Sequence, residues 1–342
     1  MSKRTLDSFF KTAASSSKKP KATTSNLRHE EVNGNGSESL PPSHHPSYPI
    51  AIAGLPSHVA TGLSTRTPGR PPRTLSDHAH LDLLYFEPYI PQPTAREYFQ
   101  FLRRELPFYR VRYTIRRAPT ETVINTPRFT TVFGVDATSY FSSDEKQQLL
   151  DSKTDQPVKA DRYKCKPRPI PACLDLLRQQ VEAAMANGTT YNFCLVNYYA
   201  SGDDSISYHS DDERFLGSSP NIASLSLGAK RDFLMKHKPP PASKQGPAPP
   251  VEDSGETGKP LKLPLASGDM IVMRGETQAN WLHSIPKRKG GEAGNGRINI
   301  TFRKAVVPGG TENYYHYNVG SGDMYRWNDK KRELMLAREV KT

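Results

Sequence analysis

YNFCLVNYY, residues 191–199, opens a series of short apolar segments that continues through ASLSLG (223–228), DFLMK (232–236), LPL (263–265), MIVM (270–273) and INITF (298–302). Turn residues separate the segments, and no long helical periodicity intervenes before residue 304. Short strands at this spacing read as an antiparallel sandwich or jelly roll. Upstream, Tyr98, Phe101 and Leu102 give one helix an apolar face, and Thr94 with Glu97 has the spacing of a capping box at its start. YRVRYTIRR (109–117) alternates like a strand, and Leu174, Leu177 and Val181 mark a second helix. The expectation is an α+β fold: a double-stranded β-helix (jelly roll) core with flanking N-terminal helices. The stretch MYRWNDKKRELMLAREV near the C-terminus is expected to form a surface helix.

Outside that core the composition changes. Residues 1–75 are rich in Ser, Thr, Pro and Lys; ten basic residues less four acids give this tail +6 of the chain's formal +12. So few large apolar side chains cannot offset chain entropy, and the tail is expected to be disordered. The folded domain is then placed at 76–304, with a Pro- and Gly-rich mobile loop at 237–260 and a C-terminal extension at 305–342. The remaining positive charge belongs to the folded part and favours a polyanionic partner. Three scattered cysteines, Cys165, Cys173 and Cys194, argue against a disulfide framework or a zinc finger. The chain has no run of eighteen apolar residues and no apolar leader, so an intracellular protein without a membrane span is expected. Nothing demands a dimer, and a monomer is expected.

The chemistry is carried by a few polar residues. His209 and Asp211 stand two apart in YHSDDER, and on extended backbone side chains at i and i+2 point the same way. His283, in NWLHSIP, is the best third ligand. Two histidines and one carboxylate make the facial triad of non-haem iron(II) oxygenases, although an HxD pair also occurs by chance. In RINITFR (297–303), alternation puts Arg297, Asn299, Thr301 and Arg303 on one face and Ile298, Ile300 and Phe302 on the other. If the aliphatic face meets the core, the two arginines line the interior and need an anion, because buried unpaired charge costs several kcal/mol. A small dicarboxylate would satisfy them through bidentate pairing. An edge strand with its arginines in water is the competing reading.

HSD, a histidine 74 residues later and R-x-N-x-T-x-R fourteen residues beyond that together resemble the AlkB family of dioxygenases over roughly residues 80–304. The likeness is greatest to the nuclear eukaryotic DNA-repair members, through YNFCLVNYY, HSDDER, SLGAKRDF, HSIPKR and RINITFRK. The resemblance implies that His209, Asp211 and His283 bind Fe(II) and that Arg297 pairs with the distal carboxylate of 2-oxoglutarate. It implies further that Arg303 contacts the keto-acid end, and that Asn197, Tyr199 and Thr301 are co-substrate contacts. O2 is the third reactant, and the implied activity is oxidative demethylation of N-alkylated DNA bases, with release of formaldehyde, succinate and CO2. Asp212 matches a position near the exocyclic nitrogen of the base, and Tyr163 is a candidate stacking face. Arg110, Arg112, Arg128, Lys287, Arg288 and Lys289 are candidate grips on phosphate. The NTPRF stretch (125–129) resembles the base-flipping hairpin region, without identifying the wedge.

Other readings stay open at this point: an RNA or regulatory methyladenine demethylase, a protein hydroxylase, or a nucleic-acid-binding module without catalysis. At the N-terminus, Leu6, Phe9 and Phe10 within residues 3–10 resemble a sliding-clamp (PCNA) interaction motif, with Lys3 in place of the usual glutamine. Lys18-Lys19-Pro20-Lys21 looks like a nuclear-localisation signal, so a nuclear protein is expected.

Overall fold

The computed structural model describes residues 39–65, 70–117, 120–185, 187–239, 260–307, 310–320 and 322–337. The clamp-like motif, most of the expected N-terminal tail and residues 240–259 of the expected loop lie outside the described residues. In chain order the helices are α1 (Ser57–Ser64), α2 (Gln92–Glu105), α3 (Ala172–Met185), α4 (Thr277–Asn280) and α5 (Gly310–Asn318). The first strands are β1 (Arg73–Leu75), β2 (Leu83–Phe86), β3 (Phe108–Arg110), β4 (Arg112–Arg117), β5 (Thr120–Asn125), β6 (Phe129–Gly134), β7 (Ser139–Phe141) and β8 (Leu149–Asp151). They are followed by β9 (Phe193–Tyr199), β10 (Ile206–His209), β11 (Ile222–Gly228), β12 (Arg231–His237), β13 (Leu261–Leu265) and β14 (Met270–Met273). The last are β15 (Trp281–Ile285), β16 (Arg297–Arg303), β17 (Asp323–Asn328) and β18 (Glu333–Leu336).

Two antiparallel sheets carry the architecture. The larger has ten strands in the order β1-β2-β14-β11-β16-β9-β6-β3-β17-β18, and the smaller has four in the order β10-β15-β12-β13. The central strands of the large sheet are buried along their whole length, which is why their sequences read as nearly continuous apolar runs. One face of that sheet, through Cys194, Val196, Tyr198, Ile298, Ile300 and Phe302, packs in one apolar cluster with side chains of α1, α2 and α3. Its other face packs against the small sheet, where Phe193, Leu195 and Ile271 meet Phe233, Met235, Leu263 and Ile285. The polar side chains of β16 open onto this second, inter-sheet layer, and the functional site lies there.

Four expectations are corrected here. Residues 39–65 are not a disordered tail: Ser39 bridges Pro56, Ser43 bridges Ile52, and Ile52, Leu55, Val59 and Leu63 are buried in the helical layer. The apolar residues of that stretch are few, but Tyr48, Ile52, Leu55, Val59, Ala60 and Leu63 are buried, which an average over 75 residues conceals. Helix α2 begins two residues before Thr94, with Pro91 at its cap position, so Thr94 and Glu97 do not form its capping box. The alternation from Tyr109 onward is split at Val111: β3 joins the large sheet while β4 pairs with β5 in a separate ribbon. The expected C-terminal helix is instead the hairpin β17–β18, whose first strand pairs with β3. Among the described residues no helix is long and apolar enough to cross a membrane.

Candidate metal and co-substrate site

Strand register assembles the triad. β10 pairs with β15 so that His209 stands directly opposite His283, and their rings lie 4.2 Å apart. Asp211 follows two residues after His209, just past the end of β10, where its backbone N–H donates to Gln278 Oε1 at 2.8 Å. Asp211 Oδ1 is 4.0 Å from His209 Nε2, and Asp211 Oδ2 is 4.0 Å from His283 Nε2. Ligand atoms of all three residues lie within 4.8 Å of one another, close enough to share one ion. His209 Nδ1 sits 2.9 Å from the Ser207 carbonyl, an acceptor, so the ring proton belongs on Nδ1 and Nε2 carries the lone pair. Phe233 stacks on His283 at 5.2 Å and restrains that ring.

The protonation states suit a divalent cation. Burial lowers both imidazoles, His283 down to about 3, so they are neutral at ordinary pH. Burial would raise Asp211, but Arg303 and then the two histidines hold it below the usual carboxylate range. Two neutral nitrogens and one carboxylate are the deprotonated donor set that iron(II) requires.

On the large sheet, Arg297, Asn299, Thr301 and Arg303 all point away from the helical layer and are buried. Arg297 donates from Nη2 to Ser226 Oγ at 2.8 Å and lies over the Tyr199 ring, while its Nε and Nη1 make no hydrogen bond among the described residues. Among the described residues no carboxylate pairs with it. Burial lowers it to about 10, which leaves it fully charged near neutrality. A buried cation with two unpartnered donor nitrogens fits a carboxylate of a small bound anion. Arg303 is occupied differently: Nη2 donates to Asp211 Oδ1 at 2.8 Å and Nη1 to the Tyr314 hydroxyl. Asn299 donates to Ser224 Oγ and Thr301 to Asn299, so the polar face of β16 is tied to that of β11. Asn197 accepts from Arg128 Nε at 2.9 Å, and Tyr199 is buried opposite Arg297 in the register.

The sequence-derived substrate contacts fare less evenly. Asp212 points outward, is 55% exposed and pairs with Lys238 at 2.8 Å, beside a cleft of about 370 Å³ that Arg214 and Gln278 also line. The acid that accompanies Asp211 inward is Glu213, which burial pushes up to about 7. Period two, applied one step further from Asp211, would have selected it. Tyr163 is buried with its hydroxyl on Ser139 and Asp136, so it offers no stacking face. Arg110 is spent on Asp204 and the Thr126 carbonyl, while Arg112 is exposed and 3.6 Å from Asp323. Arg128 lies inward, against Asn197, rather than on an outer rim. Lys287, Arg288 and Lys289 are exposed on the turn directly after the strand that carries His283. Ser224, Ser226, Gln278 and Tyr314 were not anticipated; the two serines alternate in ASLSLG, but Gln278 and Tyr314 are placed only by tertiary packing.

A facial triad and, in the same inter-sheet layer, a buried arginine with unsatisfied donors define the class: a non-haem iron oxygenase that uses an acidic co-substrate. Comparison with known proteins is consistent with that reading. Residues 82–303 match the family model of the 2OG-Fe(II) oxygenase superfamily. The DNA oxidative demethylase ALKBH2 of Arabidopsis thaliana is 42% identical over 125 residues, covering 34% of this chain and 38% of that protein. The alpha-ketoglutarate-dependent dioxygenase alkB homolog 3 of Rattus norvegicus is 43% identical over 118 residues, 34% of this chain and 36% of the relative. Human DNA oxidative demethylase ALKBH2 is 38% identical over 141 residues, 41% and 49% of the two chains. The matched region thus spans half or less of each of these relatives. A solved structure, that of OsALKBH1, aligns over 68% of this chain and 100% of that one at 16% identity, but its TM-score of 0.37 is too low to bear on fold or function. The chain belongs to the 2OG-Fe(II) oxygenase superfamily, and its matched region is similar to AlkB homologues, among them proteins named DNA oxidative demethylases. Its cofactors are accordingly Fe(II), 2-oxoglutarate and O2.

Proposed function

We propose that this protein oxidatively removes methyl groups from ring nitrogens of DNA bases, of the 1-methyladenine and 3-methylcytosine type. The observation that carries the reading is the buried, carboxylate-free Arg297 in the same inter-sheet layer as the His209–Asp211–His283 triad, in a chain related to proteins named DNA oxidative demethylases. The two sheets around that layer are read as a double-stranded β-helix. His209, Asp211 and His283 would hold the iron, and Arg297 would take the distal carboxylate of 2-oxoglutarate on Nε and Nη1. Arg303 fixes one oxygen of Asp211 and leaves the other for the metal. Tyr199, Asn197 and Thr301 would line the co-substrate between these two arginines. With iron, 2-oxoglutarate and oxygen bound, decarboxylation to succinate is coupled to hydroxylation of an N-methyl group, which then leaves as formaldehyde. A methylated base in a duplex must leave the stack to reach a buried centre. The exposed Lys287-Arg288-Lys289 turn is suited to neutralise the flanking phosphates.

The experiment is formaldehyde release from methylated DNA, methylated RNA and a methylated peptide under the same conditions. DNA should be the best substrate; turnover on RNA or peptide with none on DNA would replace this reading. We propose also that Leu6, Phe9 and Phe10 bind a sliding clamp and that the protein acts in the nucleus as a monomer. Clamp binding would then raise its local concentration at replicating DNA. Calorimetry with a peptide of residues 1–20 and the clamp tests this, and absence of heat would retire it.

A further inference from the structure

The family domain ends at residue 303, yet the protein continues, and the first element beyond it is built onto the active centre. Helix α5 approaches so closely that a Cβ on Gly310 would lie 2.1 Å from Cβ of Phe215, two residues past Glu213. Val306 is tied to the same place, since its N–H donates to the Phe215 carbonyl at 2.7 Å. The far end of the helix is anchored through Thr130, whose hydroxyl donates to the Asn318 carbonyl. Between these anchors Tyr314 enters the site. Its ring packs edge-on against Phe215 at 5.3 Å and Phe193 at 5.7 Å. Its hydroxyl accepts from Arg303 Nη1 and donates to Glu213 Oε1.

Arg303 therefore spans two partners. Nη2 holds Asp211 Oδ1, and Nη1 is held by Tyr314, which Glu213 orients in turn. A guanidinium is rigid and planar, so fixing one nitrogen fixes the direction of the other. We infer that Tyr314 is a positioning residue for the metal site. Contributed from outside the family domain, it locks Arg303, and through it the Asp211 carboxylate, in the orientation that presents Oδ2 to the metal. Partners of this kind, which orient a metal-ligating side chain, typically carry a tenfold or larger share of metal affinity.

The inference rests on the triad being the metal site but not on DNA being the substrate, so its main test contains no nucleic acid. Mn(II) binding to the apoprotein is measured by calorimetry for the native chain, Tyr314→Phe, Glu213→Gln and the double variant. Tyr314→Phe keeps the ring against Phe193 and Phe215 and removes only the oxygen. Its Mn(II) affinity should fall about tenfold, and KM for 2-oxoglutarate should rise while kcat at saturation is largely kept. Glu213→Gln should weaken Mn(II) in the same direction, and the double variant should lose no more than the larger single loss, because both act through one relay. Native Mn(II) affinity and KM in Tyr314→Phe would overturn the inference. So would strictly additive losses, which would mean that the two residues act independently. Thermal melting of the metal-free proteins separates these outcomes from a general loss of fold, and Glu213→Gln provides an independent reading if Tyr314→Phe folds poorly.

Discussion

Arg297 concentrates the chemistry of the site at a single residue. Its side chain is 1% exposed, and among the described residues its nearest compensation is a serine hydroxyl and an aromatic face. A charge kept there without an anion costs several kcal/mol, so the fold carries an unmet demand that a bound carboxylate meets. Two consequences follow from that demand. 2-Oxoglutarate should raise the melting temperature of the metal-loaded protein, since a ligand at a hundred times its Kd contributes about 2.7 kcal/mol. Arg297→Ala should lower 2-oxoglutarate affinity by roughly one to two orders of magnitude, the worth of a hydrogen bond to a charged group. Unchanged affinity in titration calorimetry would show that the co-substrate sits elsewhere. This residue was legible because strict alternation in RINITFR needs only the knowledge that the aliphatic face is buried. Glu213 was not legible: the family resemblance points to Asp212, and nothing in the sequence shows that Glu213 is aimed inward onto Tyr314. Tyr163 could not be judged from sequence, since its burial depends on Ser139 and Asp136 meeting it from another segment.

At the scale of elements, β9, β11, β12, β13, β14 and β16 were legible in the sequence, whereas β6, β15 and the peripheral pieces were not. Strands such as β9 and β16 are covered on both faces, and their apolar runs are long enough to exclude most alternatives. The segment 39–65 has the opposite character. Its apolar side chains are separated by Pro, Ser, His and Gly, and only the packing against α2 and α3 reveals that they are used. Leu55, fully buried there, provides the test: Leu55→Ala should cost about 2–5 kcal/mol of stability in urea unfolding. A cost near zero would show that this segment contributes nothing to the core. The C-terminal hairpin was misread for a related reason. Tyr325, Trp327, Leu334 and Leu336 form a short amphipathic pattern that suits a helix as well as an edge strand, and the choice is made by the free edge of β3.

The molecule as a whole is a family domain flanked by additions of its own. On one side residues 39–65 line the helical layer; on the other α5 and the β17–β18 hairpin close onto the site and the sheet edge. The two layers divide the work. The helical layer stabilises the large sheet, and the inter-sheet layer holds the polar groups whose alignment the sheet's register fixes. The net charge of +12 adds a long-range attraction for polyanions, which salt should weaken. The most direct measurement of this account is formaldehyde released from an oligonucleotide containing 1-methyladenine, with saturating Fe(II) and 2-oxoglutarate. It compares the native protein with His209→Ala, Asp211→Ala and His283→Ala, each checked for native-like melting. The account predicts one formaldehyde for each methyl group lost in the native protein and none above background in any of the three variants. Near-native turnover by any one of them would contradict it.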